Sequence, residues 1–328
     1  MTNKLLDIIN LTIRYDTESE SVEAVNSLDL TLNKGETLGL VGETGAGKTT
    51  LAKGIMRIIP DPPGKIISGE VFFEGEDLLK KNENKMREIR GNKISMIFQD
   101  PMTALNPVIN IGEQIAEVIC LHQNVSKAKA IKKAQEMLEL VGIQKIRFNE
   151  YPHQFSGGMK QRVIIAIALA CNPTMLIADE PTTALDVTIQ AQVLELMNKL
   201  KREMGTSMML ITHDFGVVAE TCEKVAVMYA GEIVEKGLAR DIFRNRSHPY
   251  TIGLFDSLPD INEDSKRLKP IVGLMPDPTC LPIGCNFSER CPYRTEECEA
   301  EPVNMIKLSE THSVRCIKLR NMKDGDIK

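Results

Sequence analysis

Nine residues constrain this chain more than any others: the stretch GETGAGKTT at 42–50. Its G-x-x-x-x-G-K-[ST] pattern cradles phosphate only where a strand ends, a glycine-rich loop turns and a helix begins. The apolar run TLGLV at 37–41 stands directly before it and supplies the strand. In that setting Gly42, Glu43, Thr44, Gly45, Ala46 and Gly47 form a loop whose backbone N–H groups turn inward on a polyphosphate. Lys48 adds a point charge, the Thr49 hydroxyl is placed to ligate magnesium, and Thr50 continues into the helix. A glycine-rich turn that matches by chance is the plain alternative, and the strand–loop–helix order argues against it. The prediction is an α/β fold with a P-loop ATPase core.

The rest of the chain agrees with that class. KISMIF (93–98), TMLIA (174–178) and SMMLIT (207–212) are further short apolar runs, the mark of strands buried on both faces. After the third strand, Asp186 is a good N-cap for a helix with apolar residues at Ile189, Val193, Met197, Leu200 and Met204, closed by Gly205. Residues 100–160 read as helices with no strand between them, a helical insert in the α/β domain. Beyond about 236 the periodicity weakens, prolines gather and cysteines follow. This gives a cassette over 1–236 and a loop-rich, cysteine-containing C-terminal appendage over 237–328, with a frayed tail at 321–328. Forty basic against 45 acidic residues leave no broad basic face, so nucleic acid is disfavoured as a partner. The longest apolar run, VIIAIALAC from Val163, is far short of the roughly 18 residues a bilayer span needs. A cytosolic, soluble chain is expected.

Two more stretches carry chemistry. MLIADE (175–180) ends a buried strand in adjacent carboxylates. Beside a phosphate loop, Asp179 would hold magnesium and Glu180 would polarise an attacking water. Taken alone, such a pair is as readily a solvated turn. FSGGMKQR (155–162) places Ser156, Gly157 and Gly158 at the start of a helix, a second anion site that one nucleotide does not obviously need. Here the chain resembles the ATP-binding cassette ATPases, in which two such domains meet head to tail and the signature of one closes on the ATP held by the other.

The resemblance implies the remaining roles. Gln99 in IFQDP matches the Q-loop, which touches magnesium and the hydrolytic water. ALD (184–186), with Asp186, matches the D-loop, His213 in LITHD the switch histidine, and Tyr15 the aromatic that stacks on adenine. Within the family, Met159, the run FSGGMKQRVIIAIALA and SHPYTIGLFDSLP (247–259) look like the ATP-binding subunits of bacterial oligopeptide and dipeptide permeases, with nickel or metallophore importers as the alternative. A soluble cassette ATPase with a nucleic-acid or redox-sensing role is the rival of another class. The permease resemblance implies ATP and Mg2+, a second and different cassette chain, two transmembrane permease subunits and an extracytoplasmic solute-binding protein. It places the chain peripherally on the cytoplasmic face of the cell membrane.

Five of the eight cysteines lie from residue 280 onward. In a reducing compartment clustered thiols bind metal more often than they form disulfides. Cys285, Cys291, Cys298 and Cys316 are separated by gaps of five, six and seventeen residues, without the tight C-x2–4-C knuckles usual for zinc. The tail is similar to that of permease ATPases some of which hold a 4Fe-4S cluster, and the resemblance assigns these four as its ligands. Zinc or unliganded thiols remain the alternatives. Cys280 has no counterpart, and Arg294 departs from the small residue usual at its position. The group lies outside every nucleotide motif, so it is expected to leave phosphate binding nearly untouched.

Overall fold

The computed structural model describes residues 3–183, 185–257 and 270–320. Ala184 of the ALD triplet, residues 258–259 at the end of the SHPYTIGLFDSLP run, and the tail 321–328 lie outside the described residues. The strands are β1 (Lys4–Asp16), β2 (Ser21–Asn33), β3 (Thr37–Val41), β4 (Gly64–Phe73), β5 (Glu76–Asp77) and β6 (Ile94–Ile97), then β7 (Met175–Asp179), β8 (Ser207–Ile211), β9 (Lys224–Tyr229), β10 (Glu232–Leu238), β11 (Ile306–Lys307) and β12 (His312–Val314).

The four apolar runs all form strands of one sheet, ordered β11-β12-β10-β9-β3-β8-β7-β6. From β9 to β6 the neighbours run parallel. Every residue of β3, β7 and β8 is buried, which is why these segments show no polar alternation. The carboxyl ends of β3 and β7 therefore deliver the phosphate loop and the Asp179–Glu180 pair to the same edge of the sheet, separated only by β8.

A second, antiparallel sheet, β2-β1-β4-β5, was not foreseen. Its two 13-residue strands pair with register shifts between Ile8 and Leu11 and again around Ile13. Asn10 and Ser27 take positive φ of 49° and 41° at these irregularities. Each bulge flips the face that subsequent side chains address, so the period-2 signal cancels along the strand. Leu6, Leu11, Ile13 and Leu28 of this sheet pack with Leu51, Ala52 and Ile55 of the helix that follows the phosphate loop.

The stretch between β6 and β7 is helical, as expected. Asn110 accepts from the Glu113 amide at 2.9 Å to cap the helix Ile111–His122, and Lys127–Leu140 packs beside it. The helix Gly157–Leu169 shares their apolar core. Asp186 caps Val187–Met204 by accepting from the Ile189 amide at 3.0 Å, and Gly205 ends it at φ 66°. A left-handed C-cap of this kind stops a helix at little cost in glycine.

The C-terminal region continues the main sheet. β12 pairs with β10 and β11 with β12, both antiparallel. The fastening is a fully buried carboxylate: Glu235 accepts from the amides of Ser247 at 2.7 Å and His248 at 3.0 Å, and pairs with His312 Nε2 at 2.7 Å. A buried charge is tolerated only when paired and hydrogen-bonded in this way.

Candidate functional site

The phosphate loop is held by backbone on both sides. A Cβ on Gly42 would stand 2.1 Å from the Met228 carbonyl oxygen, and one on Gly47 would stand 2.2 Å from that of Ala24. Gly47 also takes φ 103° as it caps the helix Lys48–Met56. Ala46 is fully buried and takes the Gly231 amide on its carbonyl, while Thr44 and Gly45 are exposed and Thr49 and Thr50 are half-buried. Lys48 is buried and donates to the carbonyls of Gly42 at 2.7 Å and Glu43 at 2.9 Å. Burial lowers its pKa, and the charges of Glu180, Asp179 and Glu43 oppose that shift.

Asp179 ends β7 almost wholly buried, with Oδ1 lacking any hydrogen-bond partner. Burial raises its pKa, against a hydrogen bond from the Thr49 side chain, and the neighbouring Glu180 raises it further. An orphaned buried carboxylate oxygen beside a threonine hydroxyl is a donor set that suits a hard divalent cation.

Glu180 sits in the left-handed region at φ 46°, a strained conformation that needs support from its surroundings. Its Oε2 accepts from Gln99 Nε2 at 3.2 Å and Thr183 Oγ1 at 3.0 Å, and Oε1 faces His213 Nδ1 at 3.2 Å. Burial raises its pKa, but the hydrogen bonds from His213 and Thr183 and the charges of His213 and Lys48 prevail, and the net direction is down. The carboxylate is thus ionised and aimed. Thr183 was not singled out from the sequence; its only signal is its place three residues beyond Glu180.

The other expected residues lie apart from this group. Ser156 caps its helix by accepting from the Met159 amide at 3.4 Å, and Gly158 is kept small by Ile189, 2.5 Å from where its Cβ would be. That helix packs in the core on one face of the main sheet, which also takes in Val41 at the end of β3, whereas Leu51 and Ala52 of the phosphate-loop helix pack in the other core. Tyr15, at the end of β1, lies against Gly64, whose Cβ would stand 2.8 Å from Tyr15 Cε1.

The four thiols lie apart from the phosphate loop, but a residue of the cysteine-bearing segment reaches it. Arg290, between Cys285 and Cys291, donates to Glu43 Oε2 at 2.8 Å and Oε1 at 3.1 Å. Tyr250 accepts from the Glu43 amide at 2.8 Å, so this N–H braces the loop and does not turn inward as predicted. Met275 also reaches the loop, 3.1 Å from where a Gly45 Cβ would be.

Cys285, Cys291, Cys298 and Cys316 line one small pocket with His248, Phe287 and Tyr293. Cys280 is exposed, and Arg294 pairs with Glu299 on the surface. Burial pushes the Cys285 thiol up to about 12, helped by the charges of Cys316, Cys298 and Cys291. Burial raises Cys291 and Cys316 as well. Among the described residues, no group of three or more His, Cys, Asp or Glu is arranged to hold a metal ion. No helix among them is long and apolar enough to cross a membrane.

Residues 25–183 match the ABC transporter family, and residues 234–298 match the oligopeptide/dipeptide transporter C-terminal region. The chain is 50% identical to the oligopeptide transport ATP-binding protein OppD of Bacillus subtilis, over 95% of this chain and 88% of that protein. It is 47% identical to the dipeptide transport ATP-binding protein DppD of the same organism, over 95% and 94%. Among solved structures, the dimeric ATP-binding cassette MJ0796 bound to ADP and Pi superposes with a TM-score of 0.64 at 29% identity, over 72% of this chain and 99% of that one. With its phosphate loop, adjacent carboxylates and C-terminal region all matched, the chain belongs to the ABC transporter ATP-binding proteins, in the group that carries the oligopeptide/dipeptide C-terminal region.

Proposed function

We propose that this chain hydrolyses ATP to energise import of peptides, bound peripherally through permease subunits to the cytoplasmic face of the membrane. The observation that carries the reading is the Glu180 carboxylate, ionised and held by Gln99, Thr183 and His213 next to Asp179 and Lys48. Glu180 takes the proton of the attacking water, and His213 and Gln99 fix its direction. Loop 42–50 binds the phosphates through its backbone and Lys48. Thr49 and Asp179, with Gln99, would hold Mg2+, which supplies charge neutralisation at the phosphates. Tyr15 offers its ring to the adenine.

Ser156, Gly157, Gly158 and Asp186 serve the ATP held by an opposing cassette. The dimeric cassette MJ0796, to which this chain is similar, supports a head-to-tail pair, and a second, different chain is the partner proposed. Two transmembrane permease subunits and a solute-binding protein complete the transporter. The four thiols around one pocket support a further reading, that Cys285, Cys291, Cys298 and Cys316 hold a 4Fe-4S cluster that staples the region from 237 to 328 onto the cassette of 1–236. A single zinc ion held by the same sulfurs is the alternative. Burial raises the Cys285, Cys291 and Cys316 thiols, a cost that bound cationic charge would offset.

The test is reconstitution with the permease subunits and solute-binding protein in lipid vesicles. Peptide should stimulate ATP hydrolysis and accumulate with ATP. Stimulation by nickel chelates with none by peptide would refute the substrate class.

A further inference from the structure

We propose that Arg290 is a positioning residue of the ATP site, reaching from the cysteine-bearing turn to set the shape of the phosphate loop. Its side chain is only 6% exposed, and each guanidinium nitrogen has a partner. Nη1 and Nη2 fork onto the two oxygens of Glu43 at 2.8 and 3.1 Å. Nη1 also reaches the Tyr229 hydroxyl at 3.3 Å, while Nε and Nη2 donate to the carbonyls of Val272 at 3.3 Å and Ile271 at 3.4 Å. A bidentate charge-assisted pair is among the stronger and more directional contacts a protein makes.

What Glu43 does decides the consequence. It is the second residue of the loop, its amide is fixed by the Tyr250 hydroxyl, and its carbonyl accepts from Lys48 at 2.9 Å. Arg290 therefore holds the side chain of a residue whose backbone holds the phosphate-binding lysine. Tyr229 and Tyr250, which also touch Glu43 or Arg290, pack against each other with ring centroids 4.5 Å apart and planes tilted by 56°, so the two supports brace one another. Removing the guanidinium leaves the Glu43 carboxylate half-buried and uncompensated beside the site where a polyphosphate must bind. Like-charge repulsion and a loosened loop both weaken ATP. Neither touches Glu180, so the chemical step is spared.

A merely structural ion pair would lower stability and leave the kinetics alone. The experiment separates the two with Arg290→Met, Glu43→Gln and the double variant, each in the assembled transporter with its partner cassette's site disabled. Arg290→Met should raise the KM for ATP by about tenfold, the scale of one lost charge-assisted contact, with kcat within about threefold. Glu43→Gln is nearly isosteric and keeps the fold even where Arg290→Met does not. It removes both the pair and the stranded charge, so it should relieve most of the defect in the double variant. Arg290→Lys keeps the charge without the fork and should fall between. An unchanged KM in folded Arg290→Met or Arg290→Lys, a double variant whose defects simply add, or a loss confined to kcat would each overturn the proposal.

Discussion

Replacing Glu180 by Gln tests the catalytic geometry most directly. Oε2 accepts from both Gln99 and Thr183, so the amide oxygen of a glutamine can take its place and keep both bonds. The amide nitrogen then faces His213 Nδ1, which can accept as the other tautomer; that ring is 70% exposed and free to adjust. The fold and the ATP cradle survive, and only proton acceptance is lost. General-base catalysis contributes roughly 10²–10⁴-fold, equivalent to about 3–5 kcal/mol of barrier. The pH profile gives a second reading of the same group. Burial raises the Glu180 pKa, but His213, Thr183 and Lys48 more than reverse it, leaving it below the ordinary 4.5. The base is therefore active at neutral pH, and turnover per folded molecule should persist below the usual glutamate range, falling as pH drops through the lowered value. The assay is phosphate release by the assembled transporter with the partner cassette's site disabled. Wild-type turnover in Glu180→Gln, or an acid limb in turnover per folded molecule that survives the substitution, would refute the assignment.

Three further outcomes rest on other buried groups. Asp179→Asn should weaken ATP binding by about tenfold or more in the presence of Mg2+ and little in its absence, as calorimetric titration would show, because the orphaned Oδ1 is the oxygen a cation needs. Acid should destabilise the protein between about pH 6.5 and 4: burial, outweighing the nearby Glu235 charge, holds His248 at about 4 in the fold against 6.5 outside it. Across that window the unfolded chain binds the extra proton, so stability is lost as pH falls, by on the order of 3 kcal/mol, and denaturant midpoints at pH 7, 5.5 and 4.5 check it. Protein prepared without air should carry roughly four iron atoms and lose them on Cys291→Ser but not on Cys280→Ser, whose thiol is exposed and away from the pocket; stoichiometric zinc by metal analysis would refute the iron assignment.

Sequence pattern revealed β3, β6, β7 and β8 of the main sheet and missed the antiparallel sheet for a definite reason. β3, β7 and β8 are uniformly buried, so their signal is bare hydrophobicity over five residues, which no bulge can scramble. β1 and β2 depend on alternation, and the bulges at Asn10 and Ser27 erase it. The helix Val187–Met204 was legible at both ends because its caps are local: Asp186 bonds three residues ahead and Gly205 needs only its own φ.

The same distinction between local and distant determinants divides the site. Loop 42–50, the Asp179–Glu180 pair and the Ser156 cap are each specified by a few consecutive residues, and they could be read as motifs. Their mutual support is not local. Gln99 meets Glu180 across 81 positions, and Arg290 meets Glu43 across 247. Nothing in the run around Arg290 marks it, since an arginine between two cysteines reads equally well as a solvated charge. Motif spacing says where a backbone cradle forms, while the charges that steady the cradle arrive from whichever segment the sheet brings near. Here that delivery is physical and traceable. β9 places Tyr229 beside the loop, β10 and β12 fasten the C-terminal region through Glu235 and His312, and His248, anchored on the same carboxylate, starts the helix that carries Tyr250 to Glu43. A change that frees Glu235 should therefore be felt at the phosphate loop, although neither Glu235 nor any of its partners touches it.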